Sequence, residues 1–332
     1  MDYVLGVDGG NTKTIALVAR IDGEVVGVGR AGCGDIYGAA SDDAALAETE
    51  RAVHDALAMA GIDTSVLQAG AFSMAGADWP EDFALLHEAM TAHGFGGLGG
   101  FGQTITVVND AIGALRLGSA RTAVAVVCGT GVATGARGPD GHIWHASFWQ
   151  EAGGSARLSL ETVRAVMRAE LGIDPPTTLT GALLAAFALP TVEALLHALT
   201  ARRRPRPAAA TTIARLLLDM AAAGDDVARR IVQTEGERMG DYALAAARQV
   251  EIGTEPFDLV LTGGVFRHPS PLLPEHVARR VRRDCPQARP IRPTLAPAAG
   301  AILLALDVIG IPATPVILER LTTTSCLVHT AL

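Results

Sequence analysis

The chain carries the same local pattern twice, and this repetition constrains the fold more than any single motif. From Val4 to Gly29, and again from Ala123 to Trp144, an apolar run leads into a glycine- and hydroxyl-rich turn, and a second β-prone run follows. An Asp-Gly pair, which is a strong hairpin signal, comes next at Asp22-Gly23 and at Asp140-Gly141. The repeat predicts two facing halves, each offering backbone N–H groups to a polyphosphate between them.

Length and composition predict a folded protein with two domains and no affinity for nucleic acid. The 332 residues exceed one ordinary core, and a chain with 49% hydrophobic and 19% charged residues can bury a large interior. A net charge of −8 gives no general attraction to nucleic acid or anionic lipid, and an aromatic content of 4% argues against a base-stacking platform. The basic run 202–206 is predicted to be a solvated loop between helices.

Targeting, membrane and metal signals are absent from the sequence pattern. The first residues have no basic leader region, and no apolar run reaches the roughly 18 residues of a membrane span. The four cysteines contain no Cys-x-x-Cys pair, and the histidines form no metal-binding pattern. His142 and His145 are expected to be ordinary surface or core residues. We therefore predict a cytoplasmic protein without disulfides, zinc or membrane contact.

The order of elements predicts an α/β fold. Strands and helices alternate as far as residue 117, which favours a mainly parallel sheet with helices on both faces. After the second hairpin the chain is largely helical, and the last twenty residues carry no recognisable chemistry. Further strands are predicted over Val66–Met74, Thr104–Val108 and Phe257–Leu261, and helices over Ser41–Gly61, Pro80–His93, Ala111–Leu117, Ser155–Leu171, Thr178–Ala188, Thr191–Ala201, Ala210–Ala223, Asp225–Val250, Pro271–Arg283 and Pro297–Ile309.

The first glycine turn has the composition of a phosphate-binding loop. Its glycines allow the backbone to approach a ligand closely, and consecutive N–H groups form a nest for anions. The side chains of Thr12, Lys13 and Thr14 can donate to phosphate oxygens, while Asp8 can hold hydrated Mg²⁺. The alternative is a tight hairpin with polar surface residues, and neither the Walker sequence nor the dinucleotide fingerprint is present. The predicted nucleotide-binding residues here are Asp8, Gly9, Gly10, Asn11, Thr12, Lys13 and Thr14.

Two later glycine turns extend this candidate nucleotide site. Gly129, Thr130 and Gly131 follow the second apolar strand and predict a second phosphate-binding turn. Gly263 and Gly264 lie between a strand and a helix, where the backbone can pass close to a base and ribose. Each turn can also be a plain connection, a hairpin in the first case and a strand-to-helix turn in the second.

A carboxylate follows the strand predicted at 104–108. Asn109 and Asp110 end that strand at the edge where open α/β sheets bind ligands. Asp110 can take a hydroxyl proton or hold that hydroxyl in line with a phosphoryl donor, although it can also serve as a helix cap. The loop from Glu151 through Gly153 opens the next helix, and it is either a helix entry without a ligand or a contact to a sugar hydroxyl, phosphate or Mg²⁺.

The order of the three turns and Asp110 resembles the sugar kinase, heat-shock-70 and actin superfamily. Within it, the chain from Val4 to about Gly310 is similar to the BadF/BadG/BcrA/BcrD ATPase family, which includes N-acetylglucosamine kinases. The resemblance implies ATP and Mg²⁺ bound between the first two turns, with Gly263 and Gly264 facing the adenosine. It also implies that Asp110 is the base acting on the acceptor hydroxyl.

The same resemblance implies a domain organisation. Two ribonuclease-H-like (actin-like ATPase) domains would be hinged around an interdomain cleft, often in a homodimer. Residues 1–115 and 296–332 would form one domain, to which a C-terminal helix returns. Residues 116–295 would form the second domain with a helical insertion.

Two positions depart from the pattern of the hexosamine kinases in this family. Where those kinases have an asparagine that helps to hold the sugar, this chain has Asp35, and a carboxylate suits a free amine or a hydroxyl pair better than an N-acetyl group. Residues 150–155 also differ from the Gly-Asp-Glu-Gly-Ser that the family tends to have. The residues predicted to bind the acceptor are Asp35, Tyr37, Asn109, Asp110, Glu151 and Gly153.

The resemblance and the residues together predict an ATP-dependent hexosamine kinase. Its acceptor would be glucosamine or N-acetylglucosamine, phosphorylated at the 6-hydroxyl. One alternative is an ATPase that drives electron transfer in a partner dehydratase or reductase, as do family members that hold an iron–sulfur cluster between cysteines; here Cys128 and Cys285 have no evident partner. Another alternative is a sugar- or nucleotide-sensing module without turnover, against which Asp8 and Asp110 argue.

Overall fold

Each copy of the repeated pattern forms a three-stranded antiparallel meander that two parallel strands extend. The computed structural model describes residues 2–96, 104–118, 121–202, 209–253 and 255–325. Its strands are β1 (Tyr3–Gly9), β2 (Thr14–Arg20), β3 (Val25–Ala31), β4 (Leu67–Met74), β5 (Ile105–Asn109), β6 (Ala123–Cys128), β7 (Val132–Arg137), β8 (Ile143–His145), β9 (Phe257–Thr262) and β10 (Ala288–Ile291). The strand order is β3-β2-β1-β4-β5 in the first sheet and β10-β9-β6-β7-β8 in the second, so the two sheets repeat one topology.

The hairpins make both sheets mixed, so the expectation of a mainly parallel sheet is wrong. The three strands of each meander pair antiparallel, whereas β4 and β5, like β9 and β10, continue each sheet in parallel. The chain reverses at the predicted Asp-Gly pairs, where Gly23 and Gly141 adopt φ values of 91° and 89°. Positive φ is the conformation for which glycine is favoured in tight hairpins.

Helices cover the sheets at nearly the predicted places, which confirms the helices predicted from the sequence. The structure adds β10 and α11, which the sequence pattern did not predict. The helices are α1 (Asp42–Ala60), α2 (Pro80–Ala92), α3 (Asp110–Leu115), α4 (Gly154–Glu170), α5 (Thr178–Phe187), α6 (Val192–Thr200), α7 (Ala209–Ala223), α8 (Asp226–Gln249), α9 (Leu272–Asp284), α10 (Pro297–Val308) and α11 (Pro315–Thr324).

Close contact between helix and sheet organises the first half. A Cβ atom at Gly29 of β3 would lie 1.8 Å from the carbonyl oxygen of Ala52, and one at Gly6 of β1 would lie 2.5 Å from the amide nitrogen of Ile302. These glycines let α1 and α10 rest directly on the sheet. Near residue 300 the chain thus returns to the first sheet. Ile317 and Leu321 of α11 belong to the apolar cluster that α10 forms with this sheet. The domain boundaries stay a prediction, because α3 also packs against β6 and β9 of the second sheet.

Two sequence expectations fall partly or wholly outside the described residues. Of the basic run 202–206 only Arg202 is described, and Cys326 is not. Within the described ranges no single helix is long and apolar enough to cross a membrane; α5 and α6 meet that test only as a pair, bent by 57° at the break between them.

Candidate active site

The first glycine turn connects β1 to β2 and is closed by its own backbone. Gly10 donates its N–H to the carbonyl of Lys13 at 3.0 Å, and Gly34 donates to the carbonyl of Gly10 at 3.1 Å. Thr12 is exposed and Lys13 half-buried, so both side chains are accessible from the cleft. Thr14 is fully buried and its hydroxyl donates to the carbonyl of Gly32 at 3.0 Å, which leaves that proton unavailable to a phosphate.

The second turn meets the first across the cleft. The hydroxyl oxygens of Thr12 and Thr130 are 2.7 Å apart, although 118 residues separate them in the chain. Gly129 donates its N–H to the carbonyl of Gly131 at 2.9 Å. Space around the two glycines is open, since a Cβ at Gly129 or Gly131 would have no neighbour within 4 Å. The hydroxyls therefore mark the point where the two predicted phosphate turns face each other.

The third turn packs against the second. Gly263 has a φ of 103°, and a Cβ there would lie 2.4 Å from the carbonyl oxygen of Cys128. Gly264 next to it is exposed and borders open space. The following short 3₁₀ helix carries Arg267, whose positive charge acts on both Asp8 and Lys13. The sequence pattern did not single out Arg267, because a lone arginine after a glycine turn is common on protein surfaces.

Asn109 and Asp110 stand at the end of β5 and the start of α3. The buried Asn109 side chain donates to the carbonyl of Ala77 at 3.3 Å and to Asp78 Oδ1 at 3.0 Å, and it accepts from the N–H of Ala111 at 3.1 Å. Its amide group is thus fully engaged within the protein, as a helix cap. The structure brings Asp110 close enough to Asp8 for their charges to interact.

Two of the predicted acceptor residues, Asp35 and Tyr37, lie on the loop after β3. Asp35 accepts from Asn11 Nδ2 at 3.0 Å and from the N–H of Tyr37 at 2.9 Å. Its negative charge, together with that of Asp78, acts on Asp110. The Tyr37 hydroxyl donates to Asp82 at 3.1 Å, and this contact together with burial raises the pKa of Tyr37 to about 12. Asn11 therefore joins the first phosphate turn to the acceptor loop.

Burial dominates the electrostatics of the site. It raises the pKa of Asp110 to about 7, with the negative charge of Asp8 as the next cause. Burial also raises the pKa of Asp8 to about 6, against the opposing effect of Lys13 and Arg267. A carboxyl group with a pKa near 7 suits a general base that works near neutral pH.

The raised pKa of Asp110 predicts that stability falls with increasing pH. The folded carboxyl has a pKa of about 7 against an ordinary value of 3.8. The folded protein therefore binds the additional proton between these values, and the free energy of unfolding decreases as pH rises through that window. We expect Asp110→Asn to raise the free energy of unfolding of the nucleotide-free protein at pH 8, by up to about 4 kcal/mol, and to change it little at pH 4. Thermal denaturation at both pH values measures this, and a variant less stable than the wild type at pH 8 would contradict it.

The first turn of α4 braces the second glycine turn. The N–H groups of Ser155 and Ala156 donate to the carbonyls of Gly129 and Thr130, at 2.8 and 3.1 Å. Glu151 instead pairs with Arg238 of α8 at 2.8 Å, and its carboxylate is 63% exposed. The amides of Ser155 and Ala156 are thus used within the protein, and a contact of Glu151 or Gly153 to the acceptor stays a prediction.

The side chains around Asp8 fit magnesium bound through phosphates. Within the part of the chain that the structure describes, no group of three or more histidine, cysteine, aspartate or glutamate side chains could hold a metal by itself. Mg²⁺ characteristically binds through one or two carboxylates plus substrate phosphates. Asp8 is half-buried, and Lys13 and Arg267 act on its carboxylate through their charges. The open space at Gly129, Gly131 and Gly264 leaves room for the phosphates.

Two residues near the acceptor loops were not predicted as site residues. Asp78, after β4, accepts from the Ser147 hydroxyl at 2.7 Å as well as from Asn109. Nδ1 of His145 lies 2.5 Å from the same hydroxyl, and burial lowers the pKa of His145. The sequence predicted an ordinary surface or core residue at this position and did not predict its contact at the cleft. Neither residue belongs to a glycine turn or to a recognisable motif, which is why sequence spacing gave no signal for them.

Comparisons with known proteins show the family of the chain and a fold that it shares with kinases of another family. The profile of the BadF/BadG/BcrA/BcrD ATPase family matches residues 5–305. An N-acetyl-D-glucosamine kinase from Dictyostelium discoideum is 23% identical over 319 residues, which cover 92% of this chain and 98% of that protein. A crystal structure from Chromobacterium violaceum, provisionally described as an N-acetylglucosamine kinase, has a TM-score of 0.63 at 23% identity and covers 92% and 99% of the two chains. A ROK family glucokinase from Streptomyces griseus, solved with glucose and AMPPNP, has a TM-score of 0.60 at 17% identity and covers 91% and 98%.

Proposed function

The chain belongs to the BadF/BadG/BcrA/BcrD ATPase family, and from that premise we propose that it is an ATP-dependent kinase of an amino sugar. The acceptor would be glucosamine or N-acetylglucosamine, phosphorylated at the 6-hydroxyl. The observation that carries the proposal is the meeting of Thr12 and Thr130 across the cleft, in a site that also holds the half-buried Asp110 with its raised pKa. Relatives named as N-acetylglucosamine kinase and a glucokinase of the same fold support the sugar as acceptor.

Each part of the site has a role in phosphoryl transfer. Backbone N–H groups of the first two turns and the hydroxyls of Thr12 and Thr130, with Lys13 and Arg267, would hold the phosphates of ATP and offset their charge. Asp8 would hold Mg²⁺, which when bound neutralises charge on the phosphates. Asp110 would orient the acceptor hydroxyl and take its proton. Closure of the two domains would exclude water from the transfer.

Asp35 favours an acceptor with a free amine. Its carboxylate acts on Asp110 from the acceptor side, and an ammonium group or a pair of hydroxyls is the natural partner of a carboxylate. An N-acetyl group would instead offer one neutral N–H, a weaker partner for a carboxylate than an ammonium group, together with a carbonyl oxygen that a carboxylate repels. We therefore place glucosamine ahead of N-acetylglucosamine.

A coupled ADP-release assay tests the proposed function. The purified protein with MgATP is offered glucosamine, N-acetylglucosamine, glucose, N-acetylmannosamine and muramic acid derivatives in turn. We expect an amino sugar to raise ADP release well above the rate without sugar, and the product to carry phosphate at O6. If no sugar of the panel raises ADP release, the kinase proposal is wrong.

The glycines of the turns are predicted to separate into two classes. Gly129→Ala and Gly264→Ala place a methyl group in open space, so the proteins should fold normally but bind ATP about tenfold or more weakly, because that space would hold the nucleotide. Gly263→Ala meets the backbone of Cys128 at a positive φ and should lower stability by roughly 1–3 kcal/mol. Thermal denaturation and nucleotide titration distinguish these results.

Gly253→Ala is the matched control, because a Cβ at Gly253 also borders open space. Weaker ATP binding in that variant would count against the placement of the nucleotide at Gly129 and Gly264.

The described cysteines give no support to the alternative electron-transfer ATPase. Cys128 is fully buried, and burial raises the pKa of its thiol well above the ordinary range. Cys33 and Cys285 are free and lie in different halves of the chain. The homodimer implied by the family stays part of the proposal, and sedimentation of the purified protein tests it.

A further inference from the structure

A segment of the second half reaches across the cleft to the acceptor loops. This cross-cleft segment, His145–Trp149, begins at the last residue of β8 and includes a short 3₁₀ helix. Ser147 donates its hydroxyl to Asp78 Oδ1 at 2.7 Å. The ring of Phe148 lies edge-on to Tyr37, with centroids 5.1 Å apart, and is stacked on Trp79 at 6.0 Å. Polar and aromatic contacts therefore join the two halves at one place.

The backbone at Ser147 is held in an unfavourable conformation. Its φ is 41°, in the left-handed region that residues other than glycine seldom adopt. Such strain persists where surrounding contacts over-determine the residue. Here the hydroxyl is engaged on both sides, since it donates to Asp78 and lies 2.5 Å from Nδ1 of His145. The conformation directs the hydroxyl into the cleft contact.

The contact at Asp78 continues to Asp110. The same Oδ1 atom of Asp78 accepts from Asn109 Nδ2 at 3.0 Å. Asn109 in turn accepts from the N–H of Ala111 and caps α3, the helix that begins with Asp110. Oδ1 of Asp78 thus links the cross-cleft segment to Asn109, which caps the end of α3 where Asp110 lies.

We propose that Ser147 and Asp78 are positioning residues that couple closure of the cleft to the orientation of Asp110. This inference rests on the proposed kinase function for its catalytic consequence. When the cleft opens, the Ser147 hydroxyl leaves Asp78, and the Oδ1 atom that accepts from Asn109 loses its second hydrogen bond. When the cleft closes over an acceptor, the link forms again and fixes the end of α3.

Two substitutions at Ser147 separate the hydrogen bond from the backbone conformation. Ser147→Gly accepts the left-handed φ but has no hydroxyl, whereas Ser147→Asn tolerates that φ and supplies an amide donor. We expect Ser147→Gly to lower kcat/KM for the acceptor by about tenfold or more, as for loss of a hydrogen bond to a charged group, with the KM for ATP unchanged. Ser147→Asn should recover most of that loss. Equal activity in both variants and the wild type would overturn the proposal.

A second measurement needs no catalysis. In a background with Trp144→Phe and Trp149→Phe, acrylamide quenching reports the exposure of Trp79, which Phe148 covers in the closed contact. We expect a larger quenching constant in Ser147→Gly and a wild-type value in Ser147→Asn. If no sugar of the panel is phosphorylated but the quenching differs as expected, the kinase function fails while the contact stands. If a sugar is phosphorylated and Ser147→Gly matches the wild type in quenching and in kcat/KM, the positioning role is wrong.

Discussion

Replacing Asp110 by asparagine is expected to lower turnover with MgATP and the acceptor sugar by about 100-fold or more, on the scale of general-base effects. The side chain keeps its shape but can no longer accept a proton. Affinity for ATP should stay nearly unchanged, because the turns at Asp8–Thr14 and Gly129–Gly131 hold the phosphates. Initial rates of ADP release and an independent nucleotide titration give the two quantities.

Asp140→Asn is the matched control for this substitution. Asp140 is exposed in the β7–β8 hairpin and accepts the N–H of His142 at 2.8 Å. Asn-Gly is as favourable as Asp-Gly in such a turn, so turnover should equal that of the wild type. Wild-type turnover in Asp110→Asn as well would remove Asp110 from the reaction, whereas loss of ATP binding in that variant would assign it to the nucleotide site instead.

Replacing Asp8 by asparagine is also expected to lower turnover by about 100-fold or more, because the variant would bind the magnesium ion less well. Burial raises the pKa of Asp8 to about 6 in the nucleotide-free protein. A bound cation would favour the ionised carboxylate. Loss of the carboxylate charge removes a metal contact whose contribution to charge stabilisation is several kcal/mol. Turnover measured as a function of Mg²⁺ concentration is the test, and the half-saturating concentration should rise in Asp8→Asn.

The magnesium dependence distinguishes the two aspartates. Asp110→Asn should lose turnover while its Mg²⁺ dependence stays that of the wild type. Asp8→Asn should recover part of its turnover at high Mg²⁺. If raising Mg²⁺ has the same effect on both variants, Asp8 does not hold the metal.

The architecture was predictable because it depends on local signals. The Asp-Gly pairs at Asp22 and Asp140 specify hairpins, and their repetition indicated two related halves. The sequence did not predict that the sheets are mixed. Alternation of strands and helices predicts parallel pairing, and it holds only for the strands after each antiparallel meander. The four-residue β10 was missed for a similar reason, since so short a strand has little periodicity of its own.

The predicted site was incomplete wherever a contact joins distant parts of the chain. The glycine turns and Asp110 carry local patterns, so they could be named from the sequence. The partners Ser147 and Asp78 are 69 residues apart and belong to no motif. Glu151 was predicted at the acceptor from its loop alone, but Arg238 on α8 binds its carboxylate, and only the packing of that helix reveals the pairing.

A crystal structure of the protein with Mg²⁺, a non-hydrolysable ATP analogue and glucosamine tests the central claim most directly. We expect the phosphates to lie between Thr12 and Thr130, with Mg²⁺ at Asp8 and the 6-hydroxyl of the sugar within hydrogen-bond distance of Asp110. Density for the nucleotide away from both glycine turns, or for the sugar away from Asp110, would contradict the proposed site.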